Sequence, residues 1–208
     1  MTHPLITTLK KRLQQPLPGL PAQLEMTSRG GPESWHIRAD HLESGVLALL
    51  YPHRDRLHMA FMQRTEDGRV HGGQISFPGG RREPEDVDLV QTALREAEEE
   101  MGIKPDEVQV LGALTRLYIP PSNFMVYPTV GYSAQRPIFV PDPVEVAQVI
   151  ELPLSELQDP QYRVQAPVRV RGDLNVKVPA FVVQGYTIWG ATAMMLSELL
   201  TVIRELET

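Results

Sequence analysis

The sequence predicts an α+β fold in which a mixed β-sheet is sandwiched between α-helices. Two observations carry this expectation. Short apolar runs bounded by turn residues outnumber stretches of helical periodicity, and strands and helices do not alternate regularly, as a doubly wound sheet requires. A length of 208 residues fits one domain with some decoration. Hydrophobic residues make up 42% and charged residues 22%, ordinary globular usage, so the chain can bury a core.

Leu5, Ile6, Leu9 and Leu13 recur at helical spacing ahead of Pro16, which predicts an N-terminal helix ending near Gln15. Residues 16–34, rich in Pro, Gly and Ser, read as a connector. Residues 1–40 are thus a helix and connector belonging to the same domain as residues 41–208. Gly45 to Tyr51 and Leu57 to Gln63 flank the turn-like Pro52-His53-Arg54-Asp55 and predict two adjacent strands. A loop rich in glycine follows, through Gly68, Gly72, Gly73, Gly79 and Gly80. It leads to a helix from about Val87 to Met101, stopped by Gly102. Further strands are expected at Val108 to Leu114, Phe124 to Tyr132 and Val146 to Leu152. Val168 to Val183 reads as a hairpin turning at Gly172-Asp173, and Ala191 to Glu205 as a final amphipathic helix.

Charge and composition exclude several functions. With 20 Lys and Arg against 26 Asp and Glu, the net charge of -6 argues against nucleic acid or an anionic membrane as partner. An anionic small-molecule substrate would need local positive charge from another source. The absence of cysteine excludes disulfides, thiolate chemistry and zinc held by sulfur. The longest apolar run, Val46 to Tyr51, is far short of the roughly 20 residues that span a bilayer. The expectation is a soluble, untargeted, cytoplasmic protein whose oligomeric state the sequence leaves open.

The most informative segment runs from Thr92 to Ile103. At about 100° per residue, Glu100 lies roughly 40° from Glu96, with Glu99 roughly 60° to the other side, so three carboxylates share one edge. Val87, Val90, Ala93, Leu94, Ala97 and Met101 occupy the adjoining arc and would pack on a sheet, leaving Glu98 in solvent. Like charges so placed repel unless a cation joins them, and oxygen-only ligands suit Mg2+ or Mn2+. A solvated acidic face would explain the glutamates alone. Their context is Phe77-Pro78-Gly79-Gly80, whose paired glycines let backbone N–H groups approach a phosphate.

Gly80 followed by Arg95-Glu96-Ala97-x-Glu99-Glu100-x-Gly102-Ile103 resembles the box of the Nudix hydrolases. The five fixed residues from Arg95 to Gly102 should coincide by chance on the order of once per million starting positions. The box is one residue longer than the general pattern between Gly80 and Arg95. The acidic residue expected in that stretch is therefore Glu85, Asp86 or Asp88. Arg64-Thr65, Arg69, Gly73 and Phe77-Pro78-Gly79-Gly80 are similar to the signature upstream of the box in the coenzyme A pyrophosphatase branch, which also tolerates the longer box. Pro121-Ser122-Asn123-Phe124, Glu145-Val146 and Trp189-Gly190-Ala191-Thr192 are similar to later stretches of that branch.

The resemblance implies a Nudix fold and divalent-metal-dependent hydrolysis of a nucleoside diphosphate derivative, most of all coenzyme A, to 3',5'-ADP and 4'-phosphopantetheine. It implies that Glu96, Glu99 and Glu100 hold the metal, that Glu100 or Glu145 takes a proton from water, and that Arg95 orients the carboxylates. Arg64 and Arg69, with Gly73, Gly79 and Gly80, would contact substrate; Arg81 and Arg82 are further candidates for the same role. The alternatives are ADP-ribose or a dinucleotide as substrate, or a Nudix-fold nucleotide sensor that does not cleave. Such a sensor would not need to keep all three glutamates. The histidines lack zinc spacing, and Tyr186 and Trp189 read as packing residues.

Overall fold

The computed structural model describes residues 3–27, 35–66, 72–169 and 175–207. Helix α1 (Pro4–Arg12) buries Ile6 and Leu9, and single turns continue to Gln15, where Pro16 ends the pattern. The segment read as a connector also holds a short helix, α2 (Leu20–Leu24). Strands β1 (Leu42–His53) and β2 (Arg56–Arg64) form a hairpin whose two-residue turn, Arg54-Asp55, has both residues at positive φ. Such a turn matches the twist of the flanking strands.

The pairing of β1 and β2 builds the platform for the site. They pair only near the turn, from Leu50 with Met59 to His53 with Arg56, and then diverge. Into the gap enter β3 (Ile75–Ser76), which pairs with β2, and β4 (Gly79–Arg81), which pairs with β1. These strands are too short to show a period in sequence and were not among the expected elements. Beyond them come α3 (Leu89–Met101), β5 (Gln109–Ala113), β6 (Leu117–Ile119), β7 (Phe124–Tyr132) and β8 (Val146–Pro153). The pair β1·β7 is parallel and the others are antiparallel, so the eight-stranded sheet is mixed. After α4 (Leu154–Gln158), a second sheet is formed by β9 (Arg163–Arg169), β10 (Asn175–Val183) and β11 (Tyr186–Trp189), and α5 (Gly190–Arg204) closes the fold. The expected hairpin is present, but its proposed turn at Gly172-Asp173 lies outside the described residues.

Strand alternation sorts the core into two layers. Leu47, Leu49 and Tyr51 of β1, with Ala60 and Met62 of β2, face Ala93, Ala97 and Met101 of α3. Ala48, Leu50, Met59 and Phe61 face the opposite way, into a larger cluster with Leu196, Leu199 and Ile203 of α5 and Ile6 and Leu9 of α1. Helix α5 departs from the amphipathic expectation, since its buried positions run around nearly the whole circumference between the two sheets. Among the described residues, no helix is long and apolar enough to cross a membrane.

Candidate active site

Helix α3 starts where its caps dictate. The Asp88 carboxylate accepts from the Gln91 N–H at 2.8 Å, and Gly102, in the left-handed region, ends the helix. Val87 therefore lies outside the helix and is 82% exposed, correcting its assignment to the packing face. The rest of the predicted arc holds. Ala93, Ala97 and Met101 are buried, Val90 and Leu94 are half-buried, and Glu98 is exposed.

The acidic edge meets Arg64, at the end of β2, and β4, which fills part of the gap between β1 and β2. Glu100 is 3% exposed; one carboxylate oxygen accepts from the Gly79 N–H at 2.8 Å and the other from Arg64 Nη1 at 3.2 Å. Burial pushes this carboxyl up to about 8, and Glu96 and Glu145 push it the same way, against the Gly79 hydrogen bond and the Arg64 charge. Burial also raises Glu96, offset by Arg95. The Glu96 carboxylate lies against Gly80, where a Cβ would overlap it. A side chain at this position of β4 would displace the Glu96 carboxylate. Glu99 is mostly exposed and accepts from Arg95 Nη1 at 3.0 Å.

Arg95 organises this edge from below. Its Nε and Nη2 donate to Asp86 at 3.1 and 3.0 Å, its Nη1 to Glu96 at 2.9 Å, and its Nη2 also to the Arg81 carbonyl at 3.0 Å. Asp86 accepts further bonds from Glu83 N–H and Thr92 Oγ1, both at 2.9 Å. The Arg95 guanidinium holds this buried carboxyl well below the usual carboxylate range. The three acidic candidates of the lengthened box thus have different surroundings. Asp86 braces Arg95, Asp88 caps the helix, and Glu85 is exposed.

Glu145 arrives from another part of the chain. Its carbonyl accepts from the Thr65 N–H at 3.0 Å, Thr65 Oγ1 donates to the Val144 carbonyl at 2.9 Å, and Arg64 Nη2 reaches the Glu145 carboxylate at 3.5 Å. Arg64 therefore spans Glu100 and Glu145. Gly73, at φ +74, donates its N–H to the Arg64 carbonyl at 3.1 Å. Arg69 lies outside the described residues. Arg82 is engaged with Glu43 and with the Asp86 and Val87 carbonyls, whereas the Arg81 side chain has no hydrogen bond or ion pair among the described residues.

A cleft of about 1660 Å³ opens beside this edge, lined by Arg64, Gly73, Phe77, Gly79, Gly80 and Arg81. Its farther lining includes Trp35, Tyr118, Tyr186 and Trp189. The last two, expected to be packing residues, are half-buried and line the cleft, and Tyr186 also packs against the core. Sequence could not separate these roles, because an aromatic in a short strand looks alike in both. A smaller hollow of about 720 Å³, lined by His41, Glu43, Arg81, Arg82 and Glu96, adjoins it.

Glu96, Glu99 and Glu100 offer a divalent ion hard carboxylate oxygens, two of them on groups whose ionised form is poorly compensated by the protein. Glycine at position 80 keeps open the space before Glu96 that a side chain would fill. The residues fit such an ion chemically. Among the described residues, no three acidic or histidine side chains are gathered as a finished cage.

The chain has relatives among known proteins. Over 170 residues, spanning 78% of this chain and 85% of the relative, it is 36% identical to the uncharacterized Nudix hydrolase NudL of Citrobacter koseri. The NudL of Pectobacterium atrosepticum is 47% identical over 94 residues, 45% of this chain and 48% of that protein. The peroxisomal coenzyme A diphosphatase NUDT7 of Mus musculus is 33% identical over 138 residues, 65% of this chain and 58% of its own. In fold, the crystal structure of the M. smegmatis Nudix hydrolase RenU superposes with a TM-score of 0.56 at 16% identity, covering 79% of this chain and 87% of that one. A MutT/nudix family protein from Enterococcus faecalis gives 0.52 at 14% identity, covering 97% and 70%. The model of the NUDIX domain matches residues 41–169, from the start of β1 to the end of β9, and the chain belongs to the Nudix hydrolase family.

Proposed function

We propose that this Nudix hydrolase is a divalent-metal-dependent pyrophosphatase that cleaves the diphosphate of coenzyme A or its derivatives into 3',5'-ADP and 4'-phosphopantetheine. The observation that carries the reading is the bonding of the α3 carboxylate Glu100 to Arg64 and Gly79, both of which line the large cleft. The similarity to a mouse coenzyme A diphosphatase supports the choice of substrate.

A diphosphate repels an attacking nucleophile, so hydrolysis needs positive charge on its oxygens and a water aligned with the leaving group. Glu96, Glu99 and Glu100 would hold Mg2+ or Mn2+, which supplies that charge. The chain's own residues prepare the rest. The Gly79 N–H fixes Glu100, the Asp86–Arg95 pair fixes Glu96 and Glu99, and Arg64 holds Glu145 beside them. Glu100 or Glu145 takes the proton from the attacking water as the bond from phosphorus to the bridging oxygen breaks. Arg81, without an ion pair among the described residues and lining both hollows, is a cation available to the substrate's phosphates.

Incubation with coenzyme A, dephospho-coenzyme A, ADP-ribose and NADH in Mg2+ or Mn2+, followed by product identification, tests the reading. It expects 3',5'-ADP and 4'-phosphopantetheine from coenzyme A, with the highest kcat/KM of the panel. Faster cleavage of ADP-ribose or NADH would assign a different diphosphate substrate. Binding without any cleavage would make the protein a sensor.

A further inference from the structure

The cleft is walled partly by residues outside the matched span 41–169, Met26, Thr27 and Trp35 before it and Tyr186, Trp189 and Met195 after it. How the N-terminal residues are fixed there can be read from a buried carboxylate. Glu198 of α5 is 0% exposed. It accepts from the Gly19 N–H at 3.1 Å, Gln23 Nε2 at 2.7 Å, the Thr115 N–H at 3.2 Å and Thr115 Oγ1 at 2.7 Å. All these donors are neutral. A carboxylate is costly to desolvate, and an apolar side chain would pack α5 against its neighbours at less cost. What the carboxylate adds is a fixed meeting point for three segments of the chain.

The details of the joint require a carboxylate. Gln23 is fully buried, and its Nε2 also donates to the Thr115 carbonyl at 2.8 Å, so both amide protons are used. The amide cannot turn over without setting its oxygen against the Thr115 carbonyl. Gly19 has φ +63, which aims its N–H at Glu198, and a Cβ there would lie 3.3 Å from Thr115 Oγ1. Each of the three joined segments then runs to the cleft. Helix α5 brings Met194 and Met195, Thr115 leads into Leu117 and Tyr118, and α2 leads into Met26 and Thr27.

We propose that Met26, Thr27 and Trp35 form a wall of the substrate cleft that sets affinity for the part of the substrate beyond the diphosphate, with Glu198, which fixes the α2 segment leading into Met26 and Thr27, as its positioning residue. The proposal rests on reading the cleft as the substrate site of a diphosphate hydrolase. The chain has two tryptophans, Trp35 and Trp189, and both line the cleft, so binding can be followed by fluorescence independently of turnover.

In a Trp189→Phe background, Trp35 is the sole tryptophan. Titration with coenzyme A or 3',5'-ADP in the presence of a chelator should change its emission saturably, and Glu198→Gln should move the midpoint upward about tenfold. In steady-state assays with Mg2+, Glu198→Gln and Trp35→Ala should each raise KM about tenfold while kcat changes by less than about threefold, because the acidic edge stands on α3. A lower Tm with unchanged KM in Glu198→Gln, together with unchanged KM in Trp35→Ala, would make these residues scaffold and overturn the proposal. If Glu198→Gln does not fold, the KM of Trp35→Ala decides. Should the enzyme cleave ADP-ribose in place of coenzyme A, the coenzyme A reading fails, and the same KM comparison on ADP-ribose still decides the wall. Should it cleave neither, a Trp35 response to either molecule supports the wall and silence toward both overturns it.

Discussion

Glu100 on α3 and Glu198 on α5 are both buried, 3% and 0% exposed, on helices that flank the central sheet. Glu198 is met by neutral donors from Gly19, Gln23 and Thr115, all at 3.3 Å or less, and faces the interior. Glu100 receives one N–H, from Gly79, and one arm of an arginine that also serves Glu145. Burial and neighbouring carboxylates raise it to about 8. The same fold thus completes the hydrogen bonding of one buried glutamate and leaves the other incompletely compensated behind Arg64 and Gly79, which line a cleft. A fully satisfied buried carboxylate specifies structure, whereas a poorly compensated one beside other carboxylates is suited to an incoming cation.

The largest effect expected from this contrast is that of Glu100→Gln. An amide of the same shape relieves the burial of charge but cannot balance a divalent cation. Turnover should fall about 100-fold or more, roughly 2.7 kcal/mol of barrier, with Tm unchanged or raised. Turnover within about threefold of wild type would show that Glu100 is not needed for metal chemistry.

Asp86→Asn should act in the opposite sense, on stability first. Its carboxylate is the main partner of Arg95, and breaking a buried pair costs about 3 kcal/mol, or about 6 to 12 °C in Tm for a chain of this size. The pH dependence follows from the depressed folded-state value of Asp86. Its contribution is fully present above the unfolded-state value of about 3.9 and is lost as pH falls toward the folded value. The Tm difference between wild type and Asp86→Asn should therefore be constant from pH 7 to about 5 and shrink below about 4. A difference that does not change down to pH 2.5 would contradict the pairing.

A smaller effect is expected for Gly80→Ala, since only the space before Glu96 is at stake. Turnover should drop about tenfold, about 1.4 kcal/mol, with less change in Tm than Asp86→Asn produces. If Tm falls as far as in Asp86→Asn while turnover is retained, Gly80 serves the fold and not the edge.

Much of this site could be read from the chain, for physical reasons that also explain what could not. The acidic edge was legible because a helix of 3.6 residues per turn and its caps at Asp88 and Gly102 are local matters. The lengthened stretch from Gly80 to Arg95 was not, because the choice of Asp86 depends on where the chain turns at Glu83, a tertiary detail. Val87 continued the helical period and misled, since the cap at Asp88 excludes it from the helix. Arg64 is expected from sequence to contact substrate, but its span between Glu100 and Glu145 joins residues far apart in sequence and could not be foreseen. Glu198 gave no signal at all, because a lone glutamate in a helix ordinarily marks the wet face.

The proposed function requires the under-compensated edge of α3 to hold a divalent cation. Calorimetric titration of Mn2+ into the wild type, Glu98→Gln and Glu100→Gln tests it most directly, since Glu98 lies on the same helix but faces solvent. Wild type and Glu98→Gln should bind with the same affinity, and Glu100→Gln should bind at least about tenfold more weakly, about 1.4 kcal/mol. Equal binding in all three, or none in the wild type, would contradict it.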